Sequence, residues 1–216
     1  MTLATDPSAS SAPSTAPRFS SATVHEAAGR IGALPARLRP AYPGAIVDGP
    51  AFPVLCPVGD NLWLHRAVYA ASPGDVLVVA TTGTDEFGYW GEILSEAAKA
   101  RGLGGLVIDG GVRDTEVLGR VGFPVFSALT CLRGTIKNPE LGGGTPLEVV
   151  FGETSVRRGD LVVGDLDGLV VIPAADEAQV LAASQAREDK EATIIAELRA
   201  GATSLDLYGM PGGHDF

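Results

Sequence analysis

The stretch Asp75-Val-Leu-Val-Val-Ala-Thr81, with its counterpart Gly104-Gly-Leu-Val-Ile-Asp109, decides the fold. Both are short apolar runs without polar alternation, which is typical of parallel strands buried on both faces. Between them, Trp90–Ala100 places its apolar residues on one helical stripe, and Gly102 predicts where that helix ends. A strand, a crossover helix and a second strand predict an α/β fold.

The flanking segments extend this centre on both sides. The elements expected before it are a helix at Ala22–Arg30 capped by Ser20 or Ser21, a strand at Ala45–Val58, and a helix at Leu62–Ala71 capped by Asn61. Those expected after it are a helix at Thr115–Arg120, strands at Phe123–Ala128, Pro146–Phe151, Asp160–Val163 and Gly168–Ile172, and a long, charged, amphipathic helix at Asp176–Ala200. The last three strands suggest an antiparallel layer.

The predicted architecture is one α/β domain over residues 20–210. It has layered β/β/α order, with a parallel β-α-β core plus antiparallel strands, an N-terminal helix and a long C-terminal helix. Residues 1–19 are expected to form a disordered tail and residues 211–216 a flexible one.

Composition restricts the partners. The net charge of −10 without a local Lys/Arg cluster argues against a nucleic-acid partner. No apolar stretch approaches the roughly 20 residues that span a bilayer, and the N-terminus lacks the pattern of a signal peptide. We therefore expect a cytoplasmic protein without a membrane partner. The two cysteines, Cys56 and Cys131, are predicted to be free, buried thiols.

Two segments follow the predicted strands at the sheet edge where α/β proteins bind ligands. Gly91-Glu-Ile-Leu94 begins the crossover helix, whose unpaired amides favour a carboxylate, and Gly91 would let the anion approach. Gly110-Gly-Val-Arg-Asp114 presents a guanidinium for a carboxylate or enolate oxygen, and a hard oxygen ligand for magnesium or manganese. The residues alone leave open a surface ion pair of Arg113 with Asp114 and an ordinary helix start.

Seven short motifs occur in an order known from one family: Ala22-Thr-Val-His-Glu-Ala27, Gly59-Asp-Asn61, Trp90-Gly-Glu-Ile-Leu94, Gly110-Gly-Val-Arg-Asp114, Gly134-Thr-Ile-Lys137, Gly159-Asp-Leu-Val-Val163 and Ser204-Leu-Asp-Leu-Tyr-Gly-Met210. On these motifs the chain resembles the class II pyruvate aldolases that act on 4-hydroxy-4-methyl-2-oxoglutarate and 4-carboxy-4-hydroxy-2-oxoadipate. That family shares its fold with the regulator of ribonuclease activity A.

The resemblance implies roles for individual residues. Arg113 would contact the substrate and Asp114 would hold the metal. The amides of Glu92, Ile93 and Leu94 would bind the pyruvoyl carboxylate. The acid Glu26 would reach a neighbouring subunit's site and handle protons there with water and Glu92. The acids that would complete the metal site across the interface are Glu188 or Glu191.

The implied activity is a metal-dependent retro-aldol cleavage that yields pyruvate through a metal-stabilised enolate. The implied cofactor is Mg²⁺ or Mn²⁺, the substrate a 4-hydroxy-2-oxo dicarboxylic or tricarboxylic acid from aromatic catabolism, and the side activity oxaloacetate decarboxylation. The implied assembly is a homotrimer or homohexamer with sites at its interfaces.

Several alternatives stay open. The loop after Cys131 departs from the family's usual stretch, so the substrate could be another 2-oxo acid, and Lys137 is either a substrate-side cation or a solvated lysine. His25 is either part of the site or a structural imidazole. Asp165-Leu-Asp-Gly168 fits a hairpin turn better than a calcium loop. The main rival is a non-catalytic protein-binding regulator of the ribonuclease-regulator type.

Overall fold

The computed structural model describes residues 18–83 and 86–211. Of the tails expected at residues 1–19 and 211–216, residues 1–17 and 212–216 lie outside the described residues. Arg18, at the start of the described chain, donates to Asp48 Oδ1 at 3.0 Å and also pairs with Glu177. The hydrogen bond to Asp48 raises the pKa of Arg18. Burial lowers this pKa, but its effect is smaller.

The described residues form the following helices and strands. The helices are α1 Ser21–Ala27, α2 Leu62–Ala70, α3 Glu92–Ala100, α4 Thr115–Val121, α5 Glu177–Arg199 and α6 Ser204–Leu207. The strands are β1 Arg39–Pro40, β2 Val47–Cys56, β3 Val76–Thr81, β4 Gly88–Trp90, β5 Gly105–Val112, β6 Val125–Thr130, β7 Val149–Phe151, β8 Thr154–Val156, β9 Leu161–Gly164 and β10 Leu169–Ile172. The predicted α/β class is confirmed.

The main sheet is mixed, with strand order β1-β6-β5-β3-β2-β9-β10. Strands β2, β3, β5 and β6 are parallel, as the buried apolar runs predict, and β9 and β10 are antiparallel. Strand β2 joins the two regions, because residues 47–50 pair with β9 and residues 51–56 pair with β3. The predicted antiparallel strands therefore extend the main sheet, apart from the separate β7–β8 hairpin.

Apolar side chains cover both faces of this sheet. On one face, α2, α3 and α4 pack over a cluster that includes Trp90, Leu106 and Phe123, and the Trp90 and Phe123 rings stack with centroids 5.8 Å apart. On the other face, Val78 and Phe126 pack with the β7–β8 hairpin. Helices α1 and α5 cover β9 and β10 through a third cluster around Val24.

Several local expectations hold. Ser20 caps α1 by accepting from the Thr23 amide, and Gly102 ends α3 with a φ of 70°. The segment from Asp165 to Gly168 is a hairpin turn between β9 and β10, closed by the Asp165 amide on the Gly168 carbonyl at 3.0 Å. Both glycine and aspartate serve here in the ways that tight turns require.

Other expectations are wrong. Helix α5 is not amphipathic along its length, since only Val180 and Ser184 are buried and both lie in its first half. Asn61 makes no side-chain cap to α2, and the Leu62 amide instead donates to Asp60 Oδ1 at 2.8 Å. Strands β1, β4 and β8 and helix α6 were not predicted.

No helix in residues 18–83 or 86–211 is long and apolar enough to cross a membrane.

Candidate functional site

The short strand β4 brings the two predicted ligand-binding segments together. It pairs in parallel with the end of β5, with Gly88 beside Gly111 and Trp90 beside Val112. The Trp90 carbonyl then accepts from the Arg113 amide at 2.9 Å, and the Trp90 indole N–H donates to Ser95 Oγ at 2.6 Å. The start of α3 is thereby fixed against the turn that carries Arg113 and Asp114.

Asp114 is placed by an uncommon backbone conformation. Its φ of 58° is left-handed, a conformation that few residues other than glycine adopt and that aspartate tolerates better than most. Its carbonyl accepts from the Val117 and Leu118 amides of α4, while its side chain turns to the other helix and accepts from the Glu92 amide at 3.2 Å. Asp114 thus joins the starts of the two helices, with its carboxylate on α3 and its backbone carbonyl on α4.

Gly91 is required by this close approach. A Cβ atom at residue 91 would lie 2.4 Å from Asp114 Oδ2 and 3.2 Å from Arg113 Cγ. Its φ of −166° is ordinary extended backbone, so the need for glycine is one of space alone. The predicted role of Gly91 in letting a ligand approach remains a prediction, but the space it leaves is filled by the site's own side chains.

The glycines Gly88, Gly91 and Gly134 lie along the Arg113 side chain. A Cβ at Gly88 would lie 3.3 Å from Arg113 Cδ, and one at Gly134 would lie 3.7 Å from Arg113 Nη1. The nearest approach of its guanidinium to Asp114 is 3.9 Å, and both side chains are about half-exposed. Exposed pairs of this kind contribute little stability, so the guanidinium remains available for a ligand.

The first turn of α3 faces the same place. The first amides of a helix have no acceptor within it, and the helix dipole favours an anion there. The Glu92 amide is occupied by Asp114. The Ile93 side chain is 79% exposed while Leu94 is buried, so Leu94 anchors this turn and Ile93 projects into solvent.

The remaining predicted residues lie elsewhere in the chain. Glu26 on α1 pairs with Arg30 at 3.1 Å and with Arg187 of α5 at 3.7 Å, and Arg187 pairs with Glu191 at 2.8 Å. Helices α1 and α5 cover the β9–β10 end of the sheet, whereas Asp114 follows β5. Within one chain the structure therefore does not bring Glu26, Glu188 or Glu191 to Arg113 and Asp114.

The donor set at Asp114 suits a hydrated divalent cation. The described residues contain no group of three or more His, Cys, Asp or Glu side chains placed to hold a metal. Mg²⁺, however, commonly keeps several waters and binds through one or two carboxylates plus substrate oxygens. The half-exposed Asp114 carboxylate meets that requirement, and further protein ligands would have to come from another subunit.

A fully buried carboxylate fixes the loop beside the site. Asp60 Oδ1 accepts from the Leu62 amide at the start of α2, and Asp60 Oδ2 accepts from the Asn138 amide. The Asn61 amide donates to the Ile136 carbonyl at 3.1 Å. These bonds hold the loop after β6 against α2.

We expect Asp60→Ala to lower the free energy of unfolding by about 3 kcal/mol, because two backbone amides lose their buried acceptor. Urea unfolding followed by circular dichroism measures this change. The exposed Glu153→Ala, in the β7–β8 turn, is the control and should stay within about 0.5 kcal/mol of wild type. A loss of less than about 1 kcal/mol in Asp60→Ala would contradict the assigned role.

Other predicted side chains have structural surroundings. Burial, assisted by Asp60, raises the pKa of the Cys56 thiol to about 12, whereas Cys131 is only partly buried, contrary to prediction. His25 Nδ1 lies 3.1 Å from the Ile31 carbonyl oxygen, a structural contact. Lys137 is exposed and lies near His65, whose pKa is lowered by burial and, to a smaller extent, by Lys137.

Contacts that were not predicted join the loop after β6 to the residues just before β4. Phe87 lies beside the loop residue Arg133, whose guanidinium carbon is 4.3 Å from the ring centroid. The Cys131 thiol donates to the Glu86 carbonyl at 2.9 Å. An isolated arginine in an irregular loop gives no spacing signal, so only the departure of this loop from the family pattern could have drawn attention to it.

Comparison with known proteins gives consistent matches. A family model described as RraA-like, Aldolase/RraA, matches residues 21–171. A protein of Halalkalibacterium halodurans named "Putative 4-hydroxy-4-methyl-2-oxoglutarate aldolase" is 35% identical over 167 residues, which cover 77% of each chain.

Solved structures match over most of the chain as well. An uncharacterized protein from Pseudomonas syringae pv. tomato has a TM-score of 0.74 at 28% identity and covers 86% of this chain and 90% of its own. Streptomyces coelicolor RraAS2, described as an unusual member of the RNase ES inhibitor RraA protein family, has a TM-score of 0.68 at 28% identity, with coverage of 84% and 94%.

Proposed function

The chain belongs to the RraA-like family, described as Aldolase/RraA, and from this premise we propose that it is a carbon–carbon lyase. Its reaction is the retro-aldol cleavage of a 4-hydroxy-2-oxo dicarboxylic or tricarboxylic acid to pyruvate, with oxaloacetate decarboxylation as a side activity. The observation that carries the proposal is the meeting of Asp114 Oδ2 with the Glu92 amide, 3.2 Å apart, beside Arg113. The relative named as an aldolase supports the choice of reaction.

The 2-oxo acid end of the substrate binds between the first turn of α3 and Arg113. The amides of Ile93 and Leu94, at the positive end of the helix, hold the substrate carboxylate. The Arg113 guanidinium faces the oxygen on which negative charge grows during cleavage. Arg113 would thus both bind the substrate and stabilise the transition state.

Asp114 would hold Mg²⁺ or Mn²⁺, with further ligands from water, substrate and an acid of another subunit, Glu188 or Glu191. When bound, the ion supplies positive charge that polarises the 2-oxo group, as Lewis-acid metals do. Because the chain carries a net charge of −10, Arg113 and this ion would also offset the long-range repulsion of an anionic substrate.

Proton transfers begin and end the reaction. A water held by Glu92 and by Glu26 of another subunit removes the proton from the C4 hydroxyl. The C3–C4 bond then breaks, and the C4 fragment leaves as a carbonyl compound. The electron pair of the C3–C4 bond passes to C3 and forms the enolate of pyruvate. Protonation of C3 gives pyruvate. Oxaloacetate yields the same enolate when it loses carbon dioxide.

The working unit is an oligomer, a trimer or a hexamer. The placement of Glu26 and Glu191 within one chain supports this part of the proposal, because both lie on helices at the β9–β10 end of the sheet, away from Asp114, and pair with Arg187. An isolated chain would lack both the proton-handling acid and the second metal ligand. A fully active monomer in solution would refute this part of the proposal.

The test is pyruvate release from oxaloacetate and from 4-carboxy-4-hydroxy-2-oxoadipate, with Mg²⁺, with Mn²⁺ and with a chelator. We expect metal-dependent turnover of both compounds by the wild type. Turnover that persists in chelator would contradict the metal requirement. An absence of turnover on both compounds would contradict the lyase assignment for these substrates.

A second candidate is a non-catalytic regulator of a ribonuclease. It is favoured by the likeness to Streptomyces coelicolor RraAS2, described as belonging to an RNase inhibitor family. The two candidates predict different results when the protein is mixed with a ribonuclease and a 2-oxo acid. A regulator would bind the ribonuclease and release no pyruvate. The 35% identical relative named as an aldolase makes the enzyme our preferred candidate.

A further inference from the structure

The segment Cys131-Leu-Arg-Gly134, here called the strap, lies beside the Arg113 side chain. The Cys131 amide donates to the Val112 carbonyl at 2.8 Å, and the Arg133 carbonyl accepts from the Gly88 amide at 2.7 Å. The Arg133 guanidinium carbon lies 4.3 Å from the centroid of the Phe87 ring. The backbone of Arg133 is thus anchored on Gly88, which lies beside Arg113, and its side chain is anchored on Phe87.

We propose that Arg133 binds a distal carboxylate of the substrate and so makes the site selective for dicarboxylic over monocarboxylic 4-hydroxy-2-oxo acids. This inference rests on the proposed function, because it takes the 2-oxo acid end to lie at Asp114 and α3. It adds a specificity-determining residue from a loop to which that function assigns no role.

The direction of the Arg113 side chain places the strap at the far end of the site. Arg113 Cγ lies near Gly91, Cδ lies near Gly88, and Nη1 lies near Gly134. A Cβ atom at each of these glycines would lie 3.2, 3.3 and 3.7 Å, respectively, from the Arg113 atom beside it. Residue 133 adjoins Gly134. A substrate held at its 2-oxo acid end beside Asp114 therefore extends along Arg113 towards the strap.

The charge of Arg133 is available for a ligand. Among the ion pairs of residues 18–83 and 86–211, one joins Arg113 to Asp114, and none includes Arg133. Arg133 is exposed, so a carboxylate can reach it from solvent. Stacking on Phe87 holds the planar guanidinium in place while its N–H groups remain free to bind a carboxylate with two parallel hydrogen bonds.

Lys137 is the other cation of this loop, but its surroundings differ. Its charge acts on His65 of α2, and the contacts that border Arg113 come from Gly88 and Gly134. A lysine also lacks the planar fork that recognises a carboxylate. The contacts therefore favour Arg133 as the residue that distinguishes the two substrate classes.

The experiment compares 4-hydroxy-2-oxoglutarate with 4-hydroxy-2-oxopentanoate, which carries a methyl group where the former has its distal carboxylate. Pyruvate release gives kcat/KM for wild type, Arg133→Gln and Arg133→Lys. The control Arg101→Gln removes one exposed positive charge at the end of α3. All variants are first compared by thermal unfolding.

For Arg133→Gln we expect kcat/KM to fall about 10- to 100-fold on the dicarboxylate, mainly through KM, because a charge-assisted hydrogen bond is lost. On the monocarboxylate it should change less than about twofold, the scatter expected when no contact is lost. Arg133→Lys should restore part of the preference, and Arg101→Gln should behave as wild type.

An equal fall on both compounds, an unchanged preference in Arg133→Gln, or a wild type without preference would each overturn the role of Arg133. The first two outcomes would leave the lyase assignment standing, since pyruvate would still be released by the wild type. No turnover of either compound by the wild type would overturn the proposed function and this inference with it.

Discussion

Asp114→Asn is expected to lower kcat/KM for metal-dependent pyruvate release by about 1,000-fold or more, the largest effect predicted for a single substitution. The reason is that a bound divalent ion supplies several kcal/mol of transition-state stabilisation, and each 1.36 kcal/mol is about tenfold in rate. Asparagine keeps the size of the side chain and an oxygen that can accept from the Glu92 amide. The measurements are steady-state kinetics and Mn²⁺ affinity by calorimetry.

The matched control for this change is Glu96→Gln. It removes the same single negative charge from an exposed position of α3 that makes no contact with Asp114. We expect wild-type kinetics and wild-type Mn²⁺ affinity for the control. If Asp114→Asn kept the wild-type rate and bound Mn²⁺ as tightly, Asp114 would not be the metal ligand.

Gly91→Ala is expected to lower kcat/KM about 100-fold while the protein stays folded, because small displacements of catalytic groups have effects of this size. The new methyl group would lie 2.4 Å from Asp114 Oδ2, so the carboxylate and Arg113 must both move. The atom that gives way is the end of a side chain, and the φ of −166° suits alanine. Thermal unfolding should therefore change much less than activity.

Gly119→Ala provides the comparison. Gly119 lies within α4, where an added Cβ meets Tyr42 at an ordinary contact distance of 3.6 Å. We expect full activity and a stability gain of about 0.5–1 kcal/mol, as for glycine replaced within a helix. A Gly91→Ala enzyme as active as Gly119→Ala would show that Asp114 does not need its observed position.

The centre of the fold follows from the sequence because its signals are local and repeated. The apolar runs at 75–81 and 104–109 require burial on both faces, and the helix between them carries one apolar stripe, so only a parallel β-α-β unit satisfies both. The same topology puts Gly91 and Asp114 at one edge of the sheet, which the Glu92 to Asp114 hydrogen bond bears out. The resemblance to the aldolase family is confirmed by the family match.

Features fixed by tertiary contacts escape such reading. Strand β4 has only three residues, and its place is set by pairing with the end of β5. Helix α5 carries apolar residues without one stripe, and only the structure shows that Val180 and Ser184 alone are buried. Asp60 and Arg133 act through partners far along the chain, Asn138 and Phe87, for which no spacing rule exists.

The roles of Glu26, Glu188 and Glu191 remain predictions for the same reason. The structure of one chain joins Glu26 and Glu191 through Arg187 but does not bring either acid to Asp114. Their part in the reaction depends on how subunits assemble, which neither periodicity nor the fold of one chain determines.

The most direct test of the central claim, formation of a pyruvate enolate at Asp114, is the exchange of pyruvate methyl protons with deuterium in D₂O, followed by proton NMR. This measurement does not depend on knowing the natural substrate. We expect exchange by wild type with Mg²⁺ or Mn²⁺, and loss of exchange in chelator and in Asp114→Asn. Exchange no faster than in a protein-free control, with folded and metal-saturated wild type, would contradict it.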